Sequence, residues 1–424
     1  MKYVIILGDG MADLPVPQLH NKTPLMVAFK PNMDRIAAEG LAGLVRTVPE
    51  GLEPGSDTAN MAVMGYDPRR YYTGRSPLEA ISMGIDMESD DVAFRCNLVT
   101  LADRADSADD FSSKILEDHS ADEIGSEEAA RLIDALNERF SDNTLRFYPG
   151  KSYRHCLLSK YFEARIITTP PHDILTRQIG PYLPKGPGSE KLLAMMIESH
   201  RLLSEHPINK ARVRHHLRPA NAIWIWGQGT KPQLPDLSAR YHLRGSVIAA
   251  VDLVRGIGLC AGLTVVDVPG ATGNIKTNFD GKAQAAIREL ARGQNYVYLH
   301  IEAPDECGHR AEVDNKVRAI ELIDEKVIGP IWSFLKANRL STGEDYRLMV
   351  LPDHPTPLAL RTHTANPVPF ACYSSDGRDH GPAAAFDEES CARTGFFIEE
   401  GHLLLSHLTE KGFSSVVRSK RSYD

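Results

Sequence analysis

Residues 296–309 read YVYLHIEAPDECGH: a six-residue apolar run, followed by a polar segment with helical spacing. Apolar runs of this length, bounded by polar residues, are typical of strands buried on both faces of a parallel sheet. Comparable runs occur at Tyr3–Leu7, Ala222–Trp226, Thr264–Val268 and Arg347–Leu351. We therefore predict that these segments, with Tyr296–Ile301, are buried strands.

Helical patterns lie between these runs. In the segment 316–336, apolar residues recur every three or four positions, which predicts a helix with one buried stripe. The stripe consists of Val317, Ile320, Ile323, Val327, Ile331 and Leu335. Alternation of strands and helices predicts an α/β fold, with a mostly parallel sheet flanked by helices.

The middle of the chain has a different composition. Residues 103–150 are rich in Asp, Glu and Ser, and Pro and Gly cluster at 169–188. We predict a smaller inserted α+β domain at residues 90–218, within a core formed by residues 1–89 and 219–424. The last residues, 418–424, are expected to fray.

The bulk composition excludes several classes of protein. The chain has 424 residues, 42% hydrophobic and 25% charged, and a net charge of −8 with no evident basic face, which argues against a nucleic-acid partner. No apolar stretch approaches the ~18–20 residues that span a bilayer, so no membrane association is expected. The N-terminal apolar run is too short for a signal peptide, and the six cysteines lack paired spacing. A reduced, cytoplasmic protein is expected.

Polar residues follow several predicted strands directly. Asp9 follows the first strand, Asp305 and His309 follow Tyr296–Ile301 four residues apart, and the pair Asp353-His354 follows Arg347–Leu351. Strand ends of an open α/β sheet line its ligand crevice, and carboxylate and imidazole groups bind divalent cations. The alternative for Asp9 is an Asp-Gly turn. For Asp305 and His309 it is an acidic helix start with a surface histidine, and for Asp353-His354 it is a polar loop.

Two further residues belong to this group of candidates. His363 lies between two threonines before a Pro-rich turn, where it is either a loop ligand or a solvated loop side chain. Ser56, in Gly55-Ser56-Asp57, is near a predicted helix start, where serine is a common N-cap. The same position lets helix N–H groups stabilise an alkoxide or phosphate on its oxygen.

Together these residues predict a two-metal site with a serine nucleophile. One cation would be bound by Asp9, Ser56, Asp353 and His354, and the other by Asp305, His309 and His363. Mixed carboxylate and imidazole ligands suit Mn²⁺ or Zn²⁺ better than Ca²⁺. Two such cations are the typical clamp of a phosphoryl transfer.

With these motifs in order along the chain, the sequence resembles the alkaline phosphatase superfamily and, within it, the cofactor-independent phosphoglycerate mutases of the archaeal type. The segments that carry the resemblance are Gly8–Met11, Pro54–Ala59, Gly74–Ala80, Phe94–Asn97, Trp226–Gly229, Ala250–Leu253, Gly270–Gly273, His300–Glu306 and Pro352–His354. The resemblance implies an alkaline-phosphatase-like core with two divalent cations, Mn²⁺ first and Zn²⁺ or Mg²⁺ as alternatives. It also implies an inserted domain that closes over the substrate.

The activity that this resemblance implies is the interconversion of 2- and 3-phosphoglycerate in glycolysis and gluconeogenesis. It would proceed without 2,3-bisphosphoglycerate, through phosphorylated Ser56. Phosphate and carboxylate groups need cationic clamps, for which we predict Arg154, Arg95 and Arg75, with surface ion pairs as the alternative. His155 is a candidate acid or base for the glycerate hydroxyls.

Other functions stay open at this stage. Some bacterial members of this branch are proposed to be homoserine kinases, and the metal and nucleophile residues do not separate that activity from a mutase. A phosphatase or another metal-dependent hydrolase is a third possibility. A non-catalytic binding protein is the fourth, and the complete set of candidate ligands argues against it.

Overall fold

The structure is a computed structural model that describes residues 1–103 and 110–413. The chain divides into two compact units: unit 1 is formed by Met1–Tyr72 and the chain from Gln233 onward, and unit 2 by Thr73–Pro232. Unit 2 extends beyond the predicted inserted segment 90–218 on both sides. The predicted fraying of residues 418–424 lies outside the described residues.

The strands and helices have the following bounds. The strands are β1 Lys2–Gly8, β2 Leu41–Val45, β3 Val92–Ala102, β4 Ile115–Asp118, β5 Leu145–Tyr148, β6 Arg154–Ser159, β7 Ala222–Thr230, β8 Gly245–Ile248, β9 Thr264–Val265, β10 Tyr296–Ile301, β11 Tyr346–Leu351, β12 Val368–Ser374 and β13 Phe397–Ile398. The first eight α-helices are α1 Pro24–Val27, α2 Pro31–Glu39, α3 Ser56–Val63, α4 Pro68–Tyr71, α5 Ser76–Ser82, α6 Ser126–Phe140, α7 Ser189–Ser204 and α8 Pro207–Arg214. They are followed by α9 Leu237–Tyr241, α10 Asp252–Cys260, α11 Phe279–Ala291, α12 Ala303–His309, α13 Val313–Leu322, α14 Gly329–Thr342, α15 Glu388–Arg393 and α16 Leu404–Ser406.

Unit 1 is built on an eight-stranded sheet with the order β13-β2-β12-β11-β1-β10-β8-β9. The central strands β11, β1, β10 and β8 run parallel to one another. Strand β12 is antiparallel to both of its neighbours, β11 and β2. The predicted mostly parallel α/β sheet is confirmed, although the run Thr264–Val268 forms a strand only over β9.

Both faces of this sheet are buried. On β1, Val4 and Ile6 join a core cluster with α2, α11, α13 and α14, while Ile5 and Leu7 point to the opposite face and are equally buried. Since neither face of β1 meets water, the strand reads as a continuous apolar run rather than an alternating one. The predicted helix at 316–336 is also confirmed, as α13 and α14 joined by a π-helical segment, Ile323–Ile328.

Unit 2 contains an antiparallel sheet in which β3 pairs with β4, β6 and β7, and β5 pairs with β6. The run Ala222–Trp226 therefore belongs to β7 of this sheet, and its prediction as a strand of the parallel core was wrong. The consecutive residues Ile223 and Trp224 are both buried in the unit 2 core. An antiparallel strand that is buried in this way has the same continuous apolar pattern as a buried parallel strand. The unit also includes α5, whose Ala80 packs with Ala93 of β3.

Candidate active site

The candidate ligands of unit 1 lie at the carboxyl ends of its central parallel strands. Asp9 follows β1, Asp353 follows β11, and Asp305 lies in α12, which begins two residues after β10. Because β11, β1 and β10 are parallel neighbours, their ends meet at one edge of the sheet. All three carboxylates are buried, with 1%, 0% and 6% of their surface exposed.

His354 lies close to three other predicted ligands of the first cation. Its Nε2 lies 3.6 Å from Asp9 Oδ1 and 3.5 Å from Asp353 Oδ2. The same nitrogen lies 3.2 Å from the Ser56 hydroxyl oxygen. The structure thus brings together the four residues predicted for the first cation.

The other predicted ligands form an adjoining group that includes two partly buried histidines. His309 Nε2 lies 3.2 Å from Asp305 Oδ2, and His363 Nε2 lies 3.3 Å from Asp305 Oδ1. The two Nε2 atoms are 2.9 Å apart. The hydrogen bond with Asp305 raises the pKa of His309 to about 9. Two imidazole nitrogens and a carboxylate that converge on one point are a donor set suited to a divalent cation.

In the part of the chain that the structure describes, three sets of side chains have donor atoms within 4.8 Å of one another. These are Asp305–His309–His363, Asp9–Asp305–His354 and Asp9–His300–Asp353. Asp9 Oδ1 and both ring nitrogens of His300 are buried without a hydrogen-bond partner among the described residues. Burial, together with Asp353 and Asp305, raises the pKa of Asp9 well above its usual range. Buried carboxylates this close need a positive charge between them, so the residues fit divalent cations.

Ser56 is the first residue of α3, and Gly55 is its N-cap. The serine is therefore one position past the N-cap that was its predicted alternative role. It stands instead beside His354 at the positive end of the helix. Asp57 follows it and accepts a hydrogen bond from the Tyr72 hydroxyl at 2.6 Å.

Sequence reasoning missed several buried polar residues around this group. Asn60 Nδ2 donates to Asp353 Oδ2 at 2.8 Å, and Thr356 donates to Asp305 Oδ1. His300 Nε2 lies 3.1 Å from Asp9 Oδ2. His300 did carry a signal in the sequence. A histidine inside the apolar run 296–301 is expected to be buried, and a buried imidazole needs polar partners. Asn60 and Thr356 carry no comparable signal.

Unit 2 contains a group of arginines around one carboxylate. Arg95 Nε lies 2.9 Å from Glu79 Oε2, and Arg75 Nε lies 3.6 Å from Glu79 Oε1. The Arg95 guanidinium also stacks over the Trp226 ring, 4.6 Å from its centroid. Burial lowers the pKa of Arg95, but a guanidinium stays charged at neutral pH.

Arg154 lies on the same face of this sheet as Arg95. It pairs with Asn97, which is two residues from Arg95 along β3. Three arginines and one glutamate leave this face positively charged.

His155 is not part of that group. It pairs with Cys96, so its side chain points to the opposite face of the sheet from its neighbour Arg154. It is 4% exposed, and its Nδ1 accepts a hydrogen bond from the Gly150 N–H at 3.0 Å. Burial lowers its pKa to about 3. The structure thus separates His155 from the predicted substrate-binding arginines, and we do not retain it as an acid or base.

Known proteins resemble this chain over almost its full length. A sequence model of 2,3-bisphosphoglycerate-independent phosphoglycerate mutase matches residues 37–209. A protein of that name from Methanothrix thermoacetophila is 49% identical over 96% of this chain and 98% of its own length. The chain belongs to this family. A probable family member from Geobacter sulfurreducens is 45% identical over 97% of this chain and its own full length.

Solved structures agree with this family assignment. A Pyrococcus horikoshii protein has a TM-score of 0.79 at 26% identity, covering 100% of this chain and 99% of its own. A cofactor-independent phosphoglycerate mutase from Thermoplasma acidophilum has a TM-score of 0.65 at 26% identity, covering 97% of this chain and 100% of its own. As a member of this family, the chain is an enzyme of the isomerase class. Among the described residues, no helix combines the length and apolar character that a membrane span requires.

Proposed function

We propose that this family member interconverts 2- and 3-phosphoglycerate by transferring the phosphoryl group to and from Ser56, with two divalent cations bound. The observation that carries the proposal is the position of the Ser56 oxygen. It lies 3.2 Å from His354 Nε2, which itself lies within 3.6 Å of two buried carboxylates. A hydroxyl that only caps a helix has no reason to point into such a group.

The residues that would hold the cations are those already described. Asp9, Ser56, Asp353 and His354 would bind one cation, and Asp305, His309 and His363 the other. We propose Mn²⁺ because the donors mix carboxylate and imidazole, with Zn²⁺ or Mg²⁺ as alternatives. When bound, such cations favour the deprotonated serine and offset the charge that develops on the phosphoryl oxygens.

In the first half of the proposed reaction, Ser56 Oγ attacks the substrate phosphorus. The new Oγ–P bond forms as the bond from phosphorus to the glycerate oxygen breaks. The proton of the Ser56 hydroxyl ends on the departing glycerate oxygen, so this half of the reaction neither gains nor loses a proton. The backbone N–H groups in the first turn of α3 then face the phosphate on Ser56, and the helix dipole stabilises its negative charge. In the second half, the other glycerate hydroxyl attacks the phosphorus, the Oγ–P bond breaks as the new O–P bond forms, and the hydroxyl proton ends on Ser56 Oγ.

The arginine group of unit 2 is our candidate for holding the glycerate between these halves. Arg95 is fixed by Glu79 and by the Trp226 ring, which prepares its remaining donors for a carboxylate or phosphate. Arg75 and Arg154 add charge on the same unit.

We further propose that the protein works in glycolysis and gluconeogenesis and is cytoplasmic. The proposal about location rests on the scattered spacing of the six cysteines, which favours a reducing compartment.

An enolase-coupled assay tests this function. Purified enzyme is supplied with 3-phosphoglycerate and Mn²⁺, without ATP or 2,3-bisphosphoglycerate, and EDTA-treated enzyme serves as the comparison. We expect EDTA-sensitive formation of 2-phosphoglycerate. Ser56→Ala should reduce the rate to background and should remove the phosphoserine that mass spectrometry detects in quenched wild-type enzyme.

Ser126→Ala is the matched control. Ser126 also begins a helix directly after a glycine, but it lies in unit 2 and only accepts a hydrogen bond from the Ser152 N–H. We expect it to retain wild-type activity and phosphoserine. Substantial mutase activity in Ser56→Ala would rule out the covalent mechanism, and full activity after removal of metal would rule out the role of the cations.

A further inference from the structure

Asn60 is a buried polar residue whose place in the molecule the proposed mechanism does not explain. It lies on α3, one helical turn after Ser56, and its exposed fraction is 0%. Asparagine is a poor helix former, and a buried amide is costly unless its donors and acceptor are paired. A residue of this kind inside a short buried helix therefore indicates a specific set of hydrogen bonds.

The hydrogen bonds of Asn60 fix the orientation of its amide. Nδ2 donates to the Ser56 carbonyl oxygen and to Asp353 Oδ2, each at 2.8 Å. Both partners can only accept, so the NH₂ group must face them. The amide oxygen accepts a hydrogen bond from the Tyr298 hydroxyl at 2.6 Å. The two acceptors thus set which end of the amide carries the nitrogen, and the Tyr298 hydroxyl holds the oxygen end in place.

The same amide fixes the rotation of the Asp353 carboxylate. Asp353 Oδ1 accepts hydrogen bonds from the N–H groups of Gly10 at 3.1 Å and His354 at 2.9 Å. Asn60 supplies the hydrogen bond to Oδ2, the oxygen that lies 3.5 Å from His354 Nε2. Both carboxylate oxygens are thus held by the protein, and Oδ2, which accepts one hydrogen bond, keeps a lone pair for a cation. Asn60 therefore joins the first turn of the nucleophile helix to a candidate ligand from another strand.

We propose that Asn60 is a positioning residue: it orients Asp353 relative to Ser56 and so raises the affinity of the Asp9–Asp353–His354 group for its cation, while Tyr298 keeps the Asn60 amide in the required orientation. The inference rests on the proposed function, since it assumes that these residues bind a cation. Hydrogen bonds to ligating carboxylates commonly set metal affinity, because an unsupported carboxylate rotates away from the ion.

Two variants test this inference by Mn²⁺ binding rather than by activity. Asn60→Leu has a similar volume and removes both hydrogen bonds from the amide nitrogen. Tyr298→Phe removes a single hydroxyl and leaves the Asn60 amide oxygen without its hydrogen bond, so the amide is held less firmly against Asp353. In calorimetric titration of metal-free protein, we expect Asn60→Leu to lower the binding affinity for one of two Mn²⁺ ions roughly 10- to 100-fold. Tyr298→Phe should lower the affinity for the same ion roughly 3- to 10-fold, and the affinity for the other ion should be unchanged in both variants.

Tyr296→Phe is the matched control. Tyr296 lies two residues earlier on β10, points to the same face, and has a buried hydroxyl without a hydrogen-bond partner among the described residues. We expect it to bind both ions with wild-type affinity. Unchanged binding in Tyr298→Phe would overturn the inference, even if Asn60→Leu fails to fold. Equal weakening in Tyr298→Phe and Tyr296→Phe would also overturn it, because the effect would then reflect general packing.

The wild-type titration separates this inference from the proposed function. Two Mn²⁺ ions in the wild type, with unchanged affinities in the variants, would contradict only the role of Asn60. Absence of Mn²⁺ binding in the wild type would contradict the metal-dependent function and the inference together.

Discussion

Unit 1 gathers carboxylates and imidazoles at one edge of a sheet, whereas unit 2 gathers guanidinium groups on one face of a sheet. The two arrangements arise differently. In unit 1, the three carboxylates follow strands, and parallel neighbouring strands bring these ends together. In unit 2, Arg95 and Arg154 lie within β3 and β6, where successive side chains alternate between faces, and Arg75 precedes α5. A shift by one sequence position therefore leaves a side chain at the same edge of the unit 1 sheet. In unit 2, the same shift moves a side chain to the opposite face of the sheet.

Among changes to single ligands, a large effect is expected at Asp305, because Asp305, like Asp9, contributes to two of the donor sets in unit 1. Asp305→Asn should lower kcat by at least roughly 10³-fold, since the cation chemistry is worth several kcal/mol and about 1.4 kcal/mol is a factor of ten. His309→Gln removes a ligand from one set only and should lower kcat less. The coupled assay at saturating Mn²⁺ measures both.

Asp314→Asn is the control for this comparison. Asp314 is an exposed carboxylate in the first turn of the next helix, α13. It should keep wild-type kcat. A loss in His309→Gln equal to or larger than that in Asp305→Asn would contradict a shared role of Asp305 in both sets.

Removal of Arg95 should have a smaller effect, and mainly on substrate binding. The loss of a charge-assisted hydrogen bond costs about 1.5–3 kcal/mol, so Arg95→Ala should raise KM roughly 10- to 100-fold. Arg95→Lys should recover only part of this loss, because lysine lacks the planar fork that stacks on Trp226. Steady-state kinetics with 3-phosphoglycerate give the values.

Arg146→Ala provides the matched control in unit 2. Arg146 lies on β5 and also stacks over a ring, that of Tyr148, but it is exposed and makes no ion pair in the described residues. Its KM should stay at the wild-type value. An unchanged KM in Arg95→Ala would exclude Arg95 from substrate binding.

The contrast between the units also explains what could be predicted from the sequence. The central strands and the residues after them were predicted because apolar runs of five or six residues and the polar groups behind them are local signals. The run Ala222–Trp226 was placed in the wrong sheet because burial on both faces erases the difference between parallel and antiparallel strands.

Residues such as Asn60 escaped prediction for another reason. Their roles depend on contacts with residues more than 200 positions away in sequence, such as Tyr298 and Asp353. His155 was predicted beside the arginines because its neighbours Tyr153 and Arg154 form a polar cluster in sequence. Strand alternation instead buries it opposite Cys96.

The smallest effect on activity is expected from His155→Asn. The asparagine Oδ1 can accept the Gly150 N–H in place of Nδ1, so kcat and KM at pH 7.5 should stay near wild type. Stability should instead become less dependent on pH. In the folded chain His155 takes up a proton only near its lowered pKa of about 3, whereas the unfolded chain does so near about 6.5. Below pH ~6.5 the unfolded state therefore binds the extra proton, and folding stability falls as the pH falls.

The measurement is the difference in melting temperature between wild type and His155→Asn at pH 7.5 and pH 5. At about 1.4 kcal/mol per pH unit, the wild type should lose about 2 kcal/mol more than the variant on acidification to pH 5. His215→Asn, which changes an exposed histidine of unit 2, should show the wild-type loss. A large fall in kcat for His155→Asn with no change in the pH dependence of stability would return His155 to the active site. The alternation that separates the two faces of the unit 2 sheet would then not describe the working enzyme.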